Sequence, residues 1–117
     1  MERENVVKDK SFALALRIVE LYRFLCQGRS EYVLSKQLLR SGTAIGAMVS
    51  DAEHAESKAD FIHKMSIALK EANESPYWME LLIQSKYLDD QMHGSIHTEL
   101  VEVRKLLISI IKTAKGN

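Results

Sequence analysis

Apolar residues recur three and four positions apart through four successive segments, with few breaks. Leu14, Ile18, Leu21 and Leu25 form one stripe, and Leu38, Ser41, Ile45, Met48, Ala52 and Ala55 a second. Ile62, Met65, Leu69, Ala72, Met79 and Ile83 form a third; Ile96, Leu100, Val103, Leu107, Ile110 and Ala114 form a fourth. That period places each set on one face of an α-helix. Five glycines and one proline in 117 residues are too few breakers for a sandwich or barrel of short strands. The spacing predicts helices over about 11–27, 30–56, 57–88 and 95–115. Gly28 and Gly94 read as stops, and Ser30, Ser57 and Ser95 as N-caps. Pro76 falls inside the third helix, and the stripe keeps its phase across it, so a kink is expected rather than a break. The chain is thus expected to be one all-α domain over 1–117, an antiparallel up-down-up-down four-helix bundle.

Two helices carry more than a bundle core requires. In the first, Ala15, Val19, Tyr22 and Cys26 lie beside the main stripe, and Phe12, Leu16 and Phe24 remain outside both. A helix apolar around most of its circumference is buried on more than one side. Phe12, Leu16 and Phe24, together with Trp78, are therefore candidates for an oligomer interface. In the second, Gly42 and Gly46 sit one turn apart, each costing a helix about 1 kcal/mol relative to alanine. With Ser41 and Ala47 they make a shallow side, which predicts tight packing of another helix there.

Lys and Arg together number 16 and Asp and Glu 16, so the general basic excess of a dedicated nucleic-acid binder is absent. A local patch remains: Arg29, Lys36 and Arg40 on the second helix, with Arg17 and Arg23 on the first, are candidate phosphate contacts. Asp51, Glu53 and Glu56 lie at the other end of the second helix, so a head-to-tail contact between subunits would pair the two ends. Cys26 is the only cysteine, which excludes an intrachain disulfide and a cysteine zinc site, and it reads as a small core residue. The start, MERENVVKDK, has no apolar signal core, and Arg17, Glu20 and Arg23 interrupt the longest apolar region. A cytoplasmic protein with no membrane partner is expected.

No residues assemble into a catalytic pattern. The segment RSGTAIG lacks a P-loop lysine and follows no strand, and Glu-x-x-His, the di-iron bundle motif, does not occur. His93 and His97 have the spacing of two ligands on one helix, but Gly94 and Ser95 place them in a turn. His54, Glu56, Asp60 and His63 read as a solvated, capped helix junction. No metal, cofactor or catalytic residue is expected.

The segments RSGTAIGAMVSDA (40–52), DFIHKMSIALKEA (60–72) and YWMELL (77–82) resemble the four-helix-bundle family named after the 23S rRNA intervening-sequence protein, also called S23 ribosomal protein-like. The resemblance covers roughly residues 10–90, with departures at Met48, where the family commonly has Asn, and at Pro76. It implies an antiparallel bundle assembled as a homopentamer. Related accessory proteins of diversity-generating retroelements form similar pentamers and bind a reverse transcriptase and nucleic acid. The expected function is a non-catalytic homo-oligomeric scaffold for protein or nucleoprotein partners. The alternative is direct RNA or DNA binding through the basic patch repeated around the ring.

Overall fold

The four apolar stripes become four helices: α1 (Glu2–Arg29), α2 (Leu34–Ala52), α3 (Lys58–Gln84) and α4 (Asp90–Ala114). The computed structural model describes residues 2–116. The predicted stripes face the core, with Leu14, Ile18, Leu21, Leu25, Leu38, Ile45, Met65, Met79, Leu100, Val103 and Leu107 buried together, but Met48, Ile62, Leu69 and Ile83 lie at its edge, and Val49, Ala68 and Leu82 take the buried places beside them. α1 starts nine residues earlier than its sequence suggests. Val7 is fully buried and Ser11 nearly so, and they extend the α1 stripe backwards at the same spacing. Cys26 is half-buried on the flank, not a core residue.

The helix ends depart from the sequence reading in instructive ways. Gly28 does not stop α1. The left-handed residue is Ser30, at φ 55°, and the Glu31 N–H donates to the Leu25 carbonyl at 2.9 Å. This closure ties up a carbonyl of the last turn, as glycine does at most helix ends. Ser30 therefore does not cap α2. Val33 sits at the N-cap position without a side-chain bond, and Glu31 replaces it. The Glu31 carboxylate accepts from the N–H groups of Val33, Leu34 and Ser35 at 3.0, 2.9 and 2.7 Å. Those are the otherwise orphaned donors of a helix start. Burial of this side chain pushes its pKa up, but the N–H groups of Leu34, Ser35 and Val33 outweigh that and hold it below 4.5.

α3 does begin at Ser57, whose hydroxyl accepts from the Asp60 N–H, and Asp60 in turn accepts from the Glu56 N–H at 3.1 Å. It continues unbroken through Pro76. The Ser75 hydroxyl beside the proline donates to the Glu71 carbonyl at 3.0 Å and lies 2.9 Å from Ser41 Oγ on α2. α4 starts at Asp90, with Asp89 as its N-cap accepting from Met92 N at 2.8 Å. Gly94 and Ser95, expected as stop and cap, lie inside this helix. A Cβ at Gly94 would meet nothing within 4 Å, so no packing opposes the helix there.

Each helix packs on the next, and α1 closes against α4, giving a square cross-section in a body 45 × 21 × 19 Å. Side-chain bonds report the direction of each pair. Lys8 near the start of α1 meets Glu53 just past the end of α2, at 2.8 Å. Ser41 in early α2 meets Ser75 in late α3. Arg3 at the start of α1 donates to Thr113 at the end of α4, at 3.0 Å. All three pairs are antiparallel, and the fold is the up-down-up-down bundle.

Gly42 and Gly46 line the α1–α2 contact. A Cβ on Gly42 would lie 3.0 Å from both γ-carbons of Ile18, and one on Gly46 would lie 3.3 Å from the Ser11 carbonyl oxygen. Ser41 faces the other way, into α3, and Ala47 is exposed rather than packed against a helix. The apposed surface is thus the Gly42–Gly46 line alone.

Three expectations follow. Gly42→Ala gains about 1 kcal/mol of helix propensity but loses about 1–3 by crowding the branched Ile18, for a net destabilisation of about 1 kcal/mol in urea unfolding. Gly94→Ala, with open space around it, stabilises by up to about 1 kcal/mol; equal signs for the two variants would contradict the packing described. Glu31→Ala costs about 1–2 kcal/mol at neutral pH as a lost cap. Because the folded carboxyl titrates below its unfolded value, that contribution is complete above the ordinary glutamate range. It disappears as pH falls through the folded value, so the gap between wild type and variant narrows in acid.

Candidate functional site

Charged side chains on helix exteriors are free for partners only if the bundle has not used them. Arg40 is used. Its guanidinium reaches Glu71 at 3.3 Å, Glu74, and Gln37 at 3.2 Å. Glu74 also accepts the Trp78 indole N–H at 2.8 Å, and that bond, with Arg40 behind it, holds its carboxyl below the ordinary range against burial. Arg40, Glu74 and Trp78 thus form one cross-link between α2 and α3. Arg17 is engaged as well, with Glu99 and with Ser95 at 2.8 Å on α4. Glu53, part of the acidic end of α2, pairs with Lys8, which lowers the carboxyl and raises the amine. The charge segregation along α2 is therefore partly satisfied inside one protomer.

Of the basic candidates, Arg23, Arg29 and Lys36 have no carboxylate partner among the described residues. Arg29 ends α1 with its guanidinium 5.5 Å from the Phe24 ring centroid, and Lys36 is exposed in the first turn of α2. Both sit at the same end of the bundle, on either side of the 30–33 connection. Arg23 is exposed two turns before that end.

The apolar surplus of α1 is outward-facing. Phe12 is 65% exposed and Leu16 51%, one turn apart, and Phe24 lies further along at 37%. Beside Phe12, a groove of about 320 Å³ is lined by Lys8, Asp9, Phe12, Gly46 and Ser50. Ala47 and Ser50 are exposed next to it. The outer side of the α1–α2 pair is thus an aromatic ridge beside a trough of small residues. Trp78 is not part of it. It is half-buried on α3 with its N–H committed to Glu74, and the ring turned outward is Tyr77, 60% exposed and edge-on to Trp78 at 5.1 Å.

At the opposite end from Arg29, a cleft of about 510 Å³ opens between the start of α1, the end of α2 and the start of α3. Glu4, Lys8, Glu53, Ser57 and Phe61 are on its walls. Among the described residues no three His, Cys, Asp or Glu side chains gather as a metal-binding group. No described helix is long and apolar enough to cross a membrane.

One feature of the exterior was readable in the sequence and overlooked. Arg3, Lys10 and Arg17 are seven apart, so they fall on one line of α1. They bridge to Ser109 and Thr113, to Glu102 at 2.9 Å, and to Glu99 and Ser95. Basic residues repeating every seven positions along one helix were the signal.

A family model for the 23S rRNA-intervening sequence protein matches residues 3–109. Among solved structures, the chain is similar to a protein of unknown function from the S23 ribosomal protein family of Bacteroides thetaiotaomicron. The two are 57% identical, the match covers 94% of this chain and 98% of that one, and the TM-score is 0.93. No curated protein matches.

The chain has a single tryptophan, so the Arg40–Glu74–Trp78 link can be read by fluorescence. Glu74→Gln weakens both of its bonds, and the expected result is a shift of the Trp78 emission with the bundle still folded. An unchanged spectrum would mean that the indole N–H is satisfied elsewhere.

Proposed function

This chain belongs to the 23S rRNA-intervening sequence protein family, and from that premise we propose that it is a non-catalytic scaffold that assembles with copies of itself, as a pentamer, and binds protein or nucleoprotein partners. One observation carries the reading: Phe12 and Leu16 stand exposed on one face of α1. Solvent gains nothing from that arrangement, and burying an apolar side chain stabilises an assembly by about 1.5–3 kcal/mol. The trough at Gly46, Ala47 and Ser50 lies beside the ridge, with Phe12 as the wall they share. A ridge that enters the trough of the next copy makes a heterologous contact, the kind that closes into a ring. Five copies is the ring size that the family resemblance implies. Partners then meet a surface repeated around the ring.

A second reading is direct RNA or DNA binding. Arg29 and Lys36, free of carboxylates at one end of the bundle, favour it; Arg40, already neutralised by Glu71 and Glu74, does not contribute. Repetition around a ring would multiply a modest patch, and binding would fall with salt.

Light scattering on a sizing column, with absorbance followed at protein and nucleic-acid wavelengths, tests both. The expected result is an oligomer of about five subunits free of nucleic acid. Phe12→Asp combined with Leu16→Asp is expected to give a smaller species of unchanged helix content. A monodisperse monomer of the wild type at micromolar concentration would overturn the scaffold. Nucleic acid that co-elutes, is stripped by salt, and is lost in the Arg29→Ala, Lys36→Ala variant would establish the second reading instead.

A further inference from the structure

The sequence set His93 and His97 aside because a turn was expected between them. The structure removes that objection: α4 runs from Asp90, and both histidines lie inside it. Residues four apart on a helix are neighbours on one face. The two imidazole rings stack with centroids 5.3 Å apart and planes within 22°. We propose that His93 and His97 form a two-imidazole chelate for a divalent first-row transition-metal ion at the start of α4.

Three observations support the chelate. The spacing fits, since side chains four apart on one helix face can reach one ion at about 2.0–2.1 Å once the near-parallel rings rotate so that their in-plane nitrogen lone pairs converge. The movement has room: Gly94 lies on the helix between the two histidines, and even a Cβ there would meet nothing within 4 Å. The nitrogens are also available, because among the described residues the rings' mutual stacking is the only side-chain interaction of either. Ser95 and Glu99 turn to α1 through Arg17, whereas His93 and His97 lie on another side of the helix.

The donor set defines the ion. Imidazole suits copper, nickel and zinc, and affinity follows the Irving–Williams order, with Cu²⁺ tightest. No third His, Cys, Asp or Glu joins the pair among the described residues, so water fills the remaining positions. A site with open positions exchanges its ion, unlike a closed structural site. Bound there, the ion clips together the first two turns of α4, the stretch that carries Gly94.

The test uses the tag-free full-length chain, titrated with Cu²⁺, Ni²⁺ and Zn²⁺ salts alone. One ion per chain is expected, tightest for Cu²⁺, with a rise in Tm at saturation. His93→Gln or His97→Gln is expected to weaken binding by at least the roughly tenfold that loss of an outer-shell partner causes, and to abolish the rise in Tm. His54→Gln and His63→Gln should change neither. Moving one imidazole by a single position, with His97→Gln and Thr98→His together, turns it about 100° around the helix and should not restore binding. The proposal is overturned by no stoichiometric binding of any of the three ions, by unchanged affinity in His93→Gln and His97→Gln, or by wild-type affinity in the shifted variant.

Discussion

The approach of α2 to α1 is the constraint on which the other contacts rest. Where Gly42 faces Ile18 and Gly46 faces the Ser11 backbone, α2 carries no side chain of its own in the interface. The helices come close enough for backbone to touch side chain along more than one turn, and dispersion gained there offsets the propensity that two glycines forfeit. The same closeness decides what is left outside. With its Gly line turned to α1, α2 turns Ser41 to Ser75 on α3 and leaves Ala47 and Ser50 on the surface beside Phe12. Buried Gly42 and the trough that begins at half-buried Gly46 follow from one helix orientation.

Polar side chains hold that orientation. Arg40 and Trp78 converge on Glu74, and Ser41 meets Ser75, all on the α2–α3 side. Arg40 and its partners are partly exposed, and pairs in such settings add little to stability on their own. Their effect is to specify which turn of α2 lies beside which turn of α3. That use of Arg40 is also why a basic patch read along α2 loses one of its members to the bundle.

The existence, order and faces of the helices were legible because helical periodicity is written in neighbouring residues. Their ends were not. α1 begins early because Val7 finds a buried place in the core, and α4 runs through Gly94 because nothing packs against that glycine. Ser30 closes α1 in place of Gly28, and Glu31 caps α2 in place of Ser30, for a similar reason. A left-handed serine and a carboxylate reaching three backbone donors are properties of a folded turn, not of a residue type. For the site, the sequence exposed the apolar surplus of α1 and located Phe12, Leu16 and Phe24. It could not show that Arg40 meets partners 31 and 34 positions away, or that Trp78 turns in while Tyr77 turns out.

Three sides of this bundle join helices that follow one another through short connections. The fourth joins α1 to α4, and its bonds span 78 to 110 positions of the chain. Bringing such distant segments together carries the largest loop-closure entropy in the molecule, whereas each hairpin closes cheaply. Arg3, Lys10 and Arg17 stitch that side from the outside, with partly exposed partners. The α1–α4 side is therefore the last to form in folding and the first to open when the native state fluctuates. An opened fourth side presents the inner face of α1 to α4 of another molecule, so exchange of a terminal helix between copies is the misassembly to which this topology is most exposed.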